Sequence, residues 1–218
     1  MVVMDVKIDN FICFRNFHMN MSYPKKIVGS YIENEFLPGR TNFRYKKVNI
    51  IMGANASGKT SIGKMLMRIF NFIDKKQYES LTDVICDVDK KASFEMDFVT
   101  DKCVLYRVKT VISPKNGEKY SLSNIDVTVH STDITLRDSY ETCVKKIEAQ
   151  KEAKAATYIQ ELEKIQDLSW MFEYPFDSSE SMKGIYTTKN AERFLRVLDK
   201  ILKSLDPAIL KVEKSDEV

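Results

Sequence analysis

The chain has little of what marks a secreted, metal-bound or membrane protein. Its four cysteines are scattered without a C-x-x-C pair and its two histidines stand apart, so we expect neither disulfides nor a Cys/His metal centre. No apolar run approaches the length of a membrane span, and the N-terminus lacks the layout of a signal peptide. These absences predict a cytoplasmic protein with no membrane partner, whose cysteines are reduced thiols in the core.

The chain also has little excess of charge of one sign, because the formal net charge of the 218 residues is only +3. A charge this small does not by itself indicate a nucleic-acid partner. Hydrophobic residues make up 44% of the chain, which is enough for a buried core. The length predicts one domain, with or without an appended lobe.

Glycine is rare too, yet two of the seven glycines frame one eight-residue motif. Residues 53–60 read GANASGKT and fit G-x-x-x-x-G-K-[ST], the phosphate-binding P-loop. Gly53 and Gly58 permit a tight turn whose backbone N–H groups face the phosphates. In such a loop Lys59 reaches the β- and γ-phosphates, and the Thr60 hydroxyl ligates Mg²⁺.

The segments on either side of the motif have the pattern that a P-loop requires. Residues 48–52 form a mostly apolar run with the length and β-branched content of a buried strand. Residues 61–73 place apolar side chains at i, i+3 and i+4 spacing, which predicts a helix. The N-terminus of that helix adds the positive end of its dipole to the phosphate site. The sequence therefore predicts that the chain binds a nucleoside triphosphate.

The rest of the chain mixes strand and helix patterns. Apolar or alternating segments predict strands at 2–11, 13–21, 92–99, 103–112 and 125–129. The turn at 100–102 predicts that the two strands on either side of it pair antiparallel. Residues 22–47 form a polar, aromatic-rich insertion with turn signals at Tyr23-Pro24 and Pro38-Gly39.

From residue 131 onward the pattern turns helical. Two apolar stripes, one starting at Leu136 and one at Tyr158, are followed by an expected ordered loop at 167–189 and a last helix at 190–205. The stretch 132–167 is either the stub of a coiled-coil arm or a pair of packed helices, and the break at Lys151 and Lys154 favours packed helices. The sequence thus predicts an α/β protein, with a nucleotide-binding lobe at 1–130 and a helical segment at 131–218.

The opening strand and the P-loop together resemble one family. Residues 8–17 read IDNFICFRNF, which is similar to the h-x-N-F-r-x-F-r-x-h opening of ABC-type ATPases of the SMC, RecF and OLD group. Those AAA-family ATPases carry G-x-N-x-S-G-K-[ST] a few dozen residues later, followed by a helix and antiparallel strands. The resemblance covers most of residues 1–112, and residues 205–210 look like a helix-to-strand passage late in the first lobe of such proteins.

That resemblance implies a P-loop NTPase fold with an ABC-ATPase-like mixed sheet, and ATP with Mg²⁺ as its ligands. It adds residues to the expected nucleotide site: Asn55, which shapes the loop and reaches the γ-phosphate, together with Ser57 and Ser61. Arg15 either contacts the phosphates or the ribose, or is an outward-facing arginine on a strand.

The family's hydrolysis motifs are not recognisable in this chain. Residues 83–87, DVICD, are nearest to a Walker B strand, but they contain three apolar residues and no glutamate follows. Residues 121–124 have the Leu-Ser of the L-S-x-G signature, with Asn124 in place of glycine. We expect His130 to be a surface residue at a strand end rather than a switch histidine, and Gln77 to be a solvated residue at a helix end. The catalytic residues therefore stay unassigned.

The apparent lack of a second lobe has two explanations, and both predict a partner. Either the sequence is a piece of a longer ATPase, or it is a half that forms a homodimer or pairs with another ATPase half. The resemblance implies a role in DNA repair, DNA maintenance or anti-phage defence, with DNA or an effector nuclease as further partners. A cluster of basic and aromatic residues at 23–47 is either a nucleic-acid surface or a solvated loop; its members are Tyr23, Lys25, Lys26, Tyr31, Arg40, Phe43, Arg44, Tyr45, Lys46 and Lys47.

Two other classes of protein use the same loop or the same fold. A P-loop kinase or GTPase is one, although the chain lacks the N-K-x-D motif that reads guanine, and the segment after residue 131 is rich in Lys and Glu rather than Arg. A non-hydrolysing pseudo-ATPase half that serves as an assembly interface is the other.

Overall fold

The computed structural model describes residues 1–25, 32–55, 57–115, 117, 119–150, 157–168, 170, 191–205 and 210. The chain divides into two compact units, Met1–Trp170 and Met171–Val218. The predicted lobe boundary at residue 130 falls inside the first unit, because strand β7 and the two helices after it belong to the same unit. Among the described residues, no helix has both the length and the apolar content needed to cross a bilayer.

A five-stranded sheet organises the first unit, in the order β2-β1-β5-β6-β7. All the described pairs in it are antiparallel, and its strands are β1 (Val2–Asp9), β2 (Phe17–Asn20), β5 (Ala92–Val99), β6 (Val104–Ile112) and β7 (Ile125–Asp133). A separate hairpin joins β3 (Phe36–Leu37) to β4 (Arg40–Arg44) across Gly39, whose φ of 73° suits glycine. The predicted turn at 100–102 does connect β5 to β6, which confirms their antiparallel pairing.

Five helices follow from the remaining segments of the described chain. They are α1 (Lys59–Lys75), α2 (Glu79–Thr82), α3 (Tyr140–Glu148), α4 (Tyr158–Leu162) and α5 (Ala191–Leu205). The prediction of helix from residue 131 onward began too early, because β7 pairs with β6 as far as Asp133. The helix α5 lies in the second unit and confirms the helix predicted at 190–205, while almost all of the loop predicted at 167–189 lies outside the described residues.

Alternation along the strands gives the sheet one apolar face, where α1 and α4 pack. Residues of this face and of α1 form the main core, which includes Val6, Ile8, Ile62, Met65, Ile69, Phe72, Phe94, Met96, Val108, Val127 and Val129. A second core forms between the sheet, the β3–β4 hairpin and α3, and it contains Met4, Leu37, Phe43, Val99, Leu105, Ile134, Tyr140, Cys143 and Ile147. The helical stretch after residue 131 is therefore packed on the sheet where it is described, as the packed-helix alternative predicted. Leu136 is an exception to the predicted stripe, since 69% of it is exposed.

A buried ion pair ties α3 to the middle of the sheet. The Arg107 guanidinium donates two hydrogen bonds of 2.7 Å to the carboxylate of Asp97 on the neighbouring strand. The Tyr140 hydroxyl, from α3, donates to the same carboxylate at 2.6 Å. Asp97 is only 2% exposed and Arg107 14%, so this pair stands largely out of water. Burial raises the pKa of the Asp97 carboxyl, and the hydrogen bonds from Arg107 and Tyr140 offset this desolvation only in part.

The strand predicted before the P-loop is absent, and this prediction was wrong. Residues 48–52 have no strand assignment, and Ile50, Ile51 and Met52 are 50%, 46% and 80% exposed. The five strands of the sheet leave no described neighbour that hydrogen-bonds to this segment. An apolar run without a pairing strand has no partner for its backbone groups, so its composition alone does not make it a strand.

Candidate functional site

The P-loop motif lies at the start of α1, as its sequence predicted. Gly58 precedes the helix with a left-handed φ of 90°, a conformation that favours glycine. The N–H of Ile62 donates to the Gly58 carbonyl at 3.1 Å, which closes the first helical turn. Within the loop, the Ser57 N–H donates to the Ala54 carbonyl at 3.3 Å. The loop therefore delivers the N-terminus of a 17-residue helix to the protein surface.

The Lys59 ammonium lies over this loop rather than in solvent. Its Nζ donates to the carbonyl oxygens of Gly53 and Ala54, each at 2.7 Å. Both contacts are with backbone dipoles, and neither is an ion pair. The charge of Lys59 is thus held at the mouth of the loop, where no described carboxylate neutralises it.

The two glycines of the motif are constrained in different ways. A Cβ added to Gly53 would lie 2.8 Å from Ser57 Oγ, too close for any side chain without a shift of that hydroxyl. At Gly58 the requirement is conformational, since space is available and the nearest atom to an added Cβ is Cys13 Sγ at 3.7 Å. That short distance also shows that the turn between β1 and β2 lies against the P-loop.

A cleft of about 710 Å³ opens between the P-loop and the β1–β2 turn. One wall consists of residues 51–53 and 57–59 with Ile62, and the other of residues 13–19. Of the predicted site residues, the cleft brings together Arg15, Gly53, Ser57, Gly58 and Lys59. Its charged lining residues are Arg15 and Lys59, both cations.

Three predicted site residues do not line this cleft. Asn55 is exposed on the loop, Thr60 is exposed in the first turn of α1, and Ser61 is half-buried in the same turn. Thr60 is adjacent to Lys59, so its hydroxyl could ligate a cation that phosphates hold at the loop. Within the described residues, no group of three or more His, Cys, Asp or Glu side chains could hold a metal ion.

Arg15 also has an acidic neighbour outside the cleft. The pKa of Asp87 is lowered, mainly by its hydrogen bond to Lys90, next by the N–H of Asp89, and more weakly by the positive charge of Arg15. The Lys90 ammonium lies 2.8 Å from the Asp87 carboxylate. Arg15 is thus an exposed cation at the rim of the cleft, in the turn before β2. The interpretation of Arg15 as an outward-facing arginine on a strand was wrong, and its contact with phosphates or ribose stays a prediction.

Asn10 is a residue of the site region whose structural role the sequence did not reveal. It adopts a left-handed φ of 61° and is 9% exposed. Its Nδ2 donates to the Asp87 carbonyl at 2.8 Å and to the Lys91 carbonyl at 3.2 Å, while its Oδ1 accepts the Asp87 N–H at 2.8 Å. Asn10 therefore fastens the segment before β5 to the end of β1. The sequence signal for this role was that Asn10 is the asparagine of the opening motif at residues 8–17.

The segments compared with hydrolysis motifs have ordinary structural roles. Residues 83–87 follow α2 and make a single bridge, Ile85 with Phe11, instead of a buried strand. Asn124 is buried and completes a capping box with Ser121 at a short 3₁₀ turn. His130 lies within β7 opposite Arg107, and it is half-buried rather than at the strand's end. Gln77 is exposed just after α1, as predicted.

Most of the described residues of the basic and aromatic cluster make contacts within the fold. Phe43 is fully buried and packs edge-on against Tyr140, with 6.1 Å between the ring centroids. The Arg40 Nε donates to the Ile134 carbonyl at 2.6 Å, and the Lys46 and Lys47 ammonium groups donate to backbone carbonyls. Lys26 and Tyr31 lie outside the described residues.

The cysteines differ from the prediction of core thiols. Cys143 alone of the four is buried, and burial raises the pKa of its thiol to about 11. Cys13 and Cys86 are exposed, and Cys103 is intermediate. The exposed thiol of Cys13 lines the cleft beside the P-loop.

Comparison with known proteins finds no protein-family model that matches the chain and no significant match among curated proteins.

Proposed function

We propose that the chain binds a nucleoside triphosphate, ATP in the first place, in the cleft beside the P-loop. The observation that carries the proposal is the position of Lys59, whose ammonium is held by two loop carbonyls at the N-terminus of a long helix. A cation and a helix N-terminus at one point form an anion site. The cleft of about 710 Å³ provides the room that a nucleotide needs next to that point.

The β- and γ-phosphates would take the place of the Gly53 and Ala54 carbonyls as partners of Lys59. Both contacts would then become charge-assisted, and such hydrogen bonds are roughly twice as strong as neutral ones. The nucleoside would extend along the opposite wall of the cleft, which includes Phe14 and Phe17. Arg15 at the rim would add a second positive charge. Asn55 on the loop and Ser61 in the first turn of α1 would contact the phosphates from outside the present lining of the cleft.

Mg²⁺ would be held by the phosphates and by the hydroxyl of Thr60, and it would neutralise charge on the β- and γ-oxygens. The lining of the cleft contains no carboxylate among the described residues. Activation of an attacking water requires such a group or its equivalent. We therefore propose that the chain alone hydrolyses ATP very slowly.

A second polypeptide segment would complete the site. The exposed residues Ile50, Ile51 and Met52 lie directly before the P-loop and have the composition of a strand that lacks its neighbour. A homodimer, another ATPase half or a further part of a longer protein would supply that neighbour and the missing carboxylate. This is the assembly of an ABC-type ATPase of the SMC, RecF and OLD group, in the cytoplasm, with a role in DNA repair, DNA maintenance or anti-phage defence.

The alternatives predict different ligands or none. A P-loop kinase or GTPase would use the same loop, and a GTPase would prefer GTP to ATP. A pseudo-ATPase half would bind its partner whether or not nucleotide is present. Binding of ATP and of GTP, each measured with and without Mg²⁺, separates these alternatives.

The decisive test is nucleotide affinity in the Lys59→Ala variant, measured by calorimetry in the presence of Mg²⁺. Loss of a charge-assisted contact should cost about 1.5–3 kcal/mol, roughly ten- to a hundred-fold in affinity. Lys75→Ala is the matched control, because it removes an exposed lysine from the last turn of the same helix. Thr60→Ala should weaken only the Mg²⁺-dependent part of binding. Equal affinities in wild type and Lys59→Ala would refute the proposal.

A further inference from the structure

The two edge strands of the sheet differ in length, and therefore in how readily each could pair with a strand of another chain. Strand β2 forms one edge and has four residues, whereas β7 forms the other and has nine. β7 is also rich in β-branched residues, namely Ile125, Val127, Thr128, Val129 and Thr132. A long edge strand of this composition is a template for pairing with a strand of another chain.

Three backbone groups of β7 that point away from β6 have partners. The Ile125 N–H donates to the Leu122 carbonyl within the 3₁₀ turn. The Val129 N–H donates to Glu161 Oε2 at 2.9 Å, and the Ser131 carbonyl accepts from Gln150 Nε2 at 2.8 Å. Backbone direction alternates along a strand, so these contacts identify the odd-numbered residues as those that face outward. The outward edge of β7 is therefore covered at positions 129 and 131 by two side chains, those of Glu161 in α4 and of Gln150, which follows α3.

Glu161 is an unusual residue for this task. It is 3% exposed, and its carboxylate contacts one backbone N–H and the ammonium of Lys164. Burial of a carboxylate is unfavourable unless its contacts compensate for the lost hydration. The helix that carries it is anchored by Tyr158, whose ring stacks on Phe72 at 5.9 Å and whose hydroxyl donates to the Lys76 carbonyl at 2.8 Å. The fold thus holds an acidic side chain against the edge of β7.

Val127 lies between the occupied positions, and its backbone faces a cavity. By the same alternation its N–H and C=O point outward, into a space of about 340 Å³ lined by Leu122, Tyr158 and Ile159 among others. Leu122 is 59% exposed and Ile159 37%, so the cavity has apolar walls that are open to solvent. This is the point on the edge where another strand would begin to pair.

We propose that Glu161 and Gln150 cover the outer edge of β7 and so prevent β7 from pairing with β7 of a second copy of the chain. These two side chains are called the guard of β7. Two such strands are complementary in an antiparallel arrangement with a twofold axis at Val129, because residues 127 to 131 of one copy then pair with residues 131 to 127 of the other. Removal of the guard frees the Val129 N–H and the Ser131 carbonyl. The freed edge then extends from 127 to 131 and matches a typical strand in length.

The test compares Glu161→Ala with Leu162→Ala, which damages the core next to the same helix but leaves Glu161 in place. Sedimentation velocity without nucleotide is expected to show a concentration-dependent association in Glu161→Ala that wild type and Leu162→Ala do not show. Glu161→Gln keeps an acceptor for Val129 and should behave as wild type. A labelled peptide with the sequence of residues 125–133 should bind Glu161→Ala at least ten-fold more tightly than wild type.

The proposal is overturned if Glu161→Ala associates no more than Leu162→Ala does, or if the peptide binds wild type and Glu161→Ala equally. Should Glu161→Ala fail to fold, Gln150→Ala decides the question, because Gln150 is exposed and contributes little to the core. That variant should bind the peptide several-fold more tightly than wild type, and equal binding would refute the guard. Hydrogen exchange at the Val129 amide, fast in monomeric Glu161→Ala and slow in its dimer, locates the association on β7.

Discussion

The centre of the sheet and the segment before the P-loop have similar apolar sequences but different structures. Residues of β5 and β6 pair along their whole length, from Ala92 with Ile112 to Val99 with Leu105. Residues 48–52 pair with no described strand and leave Ile50, Ile51 and Met52 between 46% and 80% exposed. The difference shows that a strand requires a neighbour, and that a nearby turn gave β5 its neighbour while nothing local provides one for residues 48–52.

The two regions also differ in how polar groups are stabilised. Asp97 and Arg107 form a bidentate pair in the middle of the sheet, where both are largely shielded from water. Among the described residues, the hydrogen-bond partners of Lys59 are two backbone carbonyls at an open cleft. The first arrangement is complete without a ligand, so loss of one partner would leave a buried charge without its bidentate contact. The second gains stronger partners when an anion arrives, as the proposed function requires.

The largest expected effect breaks the central pair. Asp97→Ala leaves the Arg107 guanidinium buried without its bidentate partner and removes the acceptor of the Tyr140 hydroxyl. Breaking a buried ion pair from one side costs about 3–5 kcal/mol. Tyr140→Phe removes one hydrogen bond from the same carboxylate and should cost only about 0.5–1.5 kcal/mol. Urea denaturation of both variants measures the difference, and similar losses would show that the ion pair does not dominate.

The next prediction compares two isoleucines, one from each region. Ile8 on β1 is 1% exposed, and Ile8→Ala should lower the free energy of unfolding by about 2–5 kcal/mol through the cavity it leaves. Ile51 is 46% exposed, and Ile51→Ala should change it by less than about 0.5 kcal/mol. Chemical denaturation of the isolated chain gives both values. A loss above about 2 kcal/mol for Ile51→Ala would mean that residues 48–52 are buried in solution.

Local sequence patterns predicted much of the fold because the contacts involved are local. The turn at 100–102 brings its two strands together, and the apolar positions of α1 repeat with helical spacing, so nearby residues determine both elements. The end of β7 was missed because its last residues, Ser131 to Asp133, are polar and become a strand only through pairing with β6. The exposure of residues 48–52 was missed because their apolar composition predicts a buried strand, whereas no distant strand of the described chain pairs with them.

The candidate site was predictable to the extent that one motif contains it. Gly53, Gly58 and Lys59 belong to a single motif, and their geometry follows from the glycines and from the helix that begins at Lys59. Arg15 reaches the same cleft only because the β1–β2 turn lies against the loop, which no spacing in the sequence encodes. The Asn10 contacts join residues 77 positions or more apart and depend on a left-handed backbone that only the fold reveals.

The smallest expected effect concerns thiol reactivity and contrasts a thiol beside the P-loop with a thiol in the second core. Cys13 is exposed beside the P-loop, so a disulfide reagent should modify it readily at pH 8. Cys143 lies in the second core with its pKa raised to about 11, and it should react only when the chain unfolds. Because the folded pKa of this thiol is raised, its contribution to stability is complete below about pH 8.5, the usual thiol pKa, and is lost as the pH rises through 11.

The effect of nucleotide on the reactivity of Cys13 tests whether nucleotide binds at the proposed site. ATP with Mg²⁺ should slow modification of Cys13 several-fold in wild type, since the thiol and the bound phosphates would share one cleft. In Lys59→Ala the same nucleotide concentration should protect Cys13 much less. Cys86 is exposed but does not line the cleft, and it serves as the internal control whose reactivity nucleotide should leave unchanged. Peptide mapping of the labelled chain measures all of these rates together. Equal protection of Cys13 and Cys86 would indicate a general tightening of the fold instead of a ligand in the cleft.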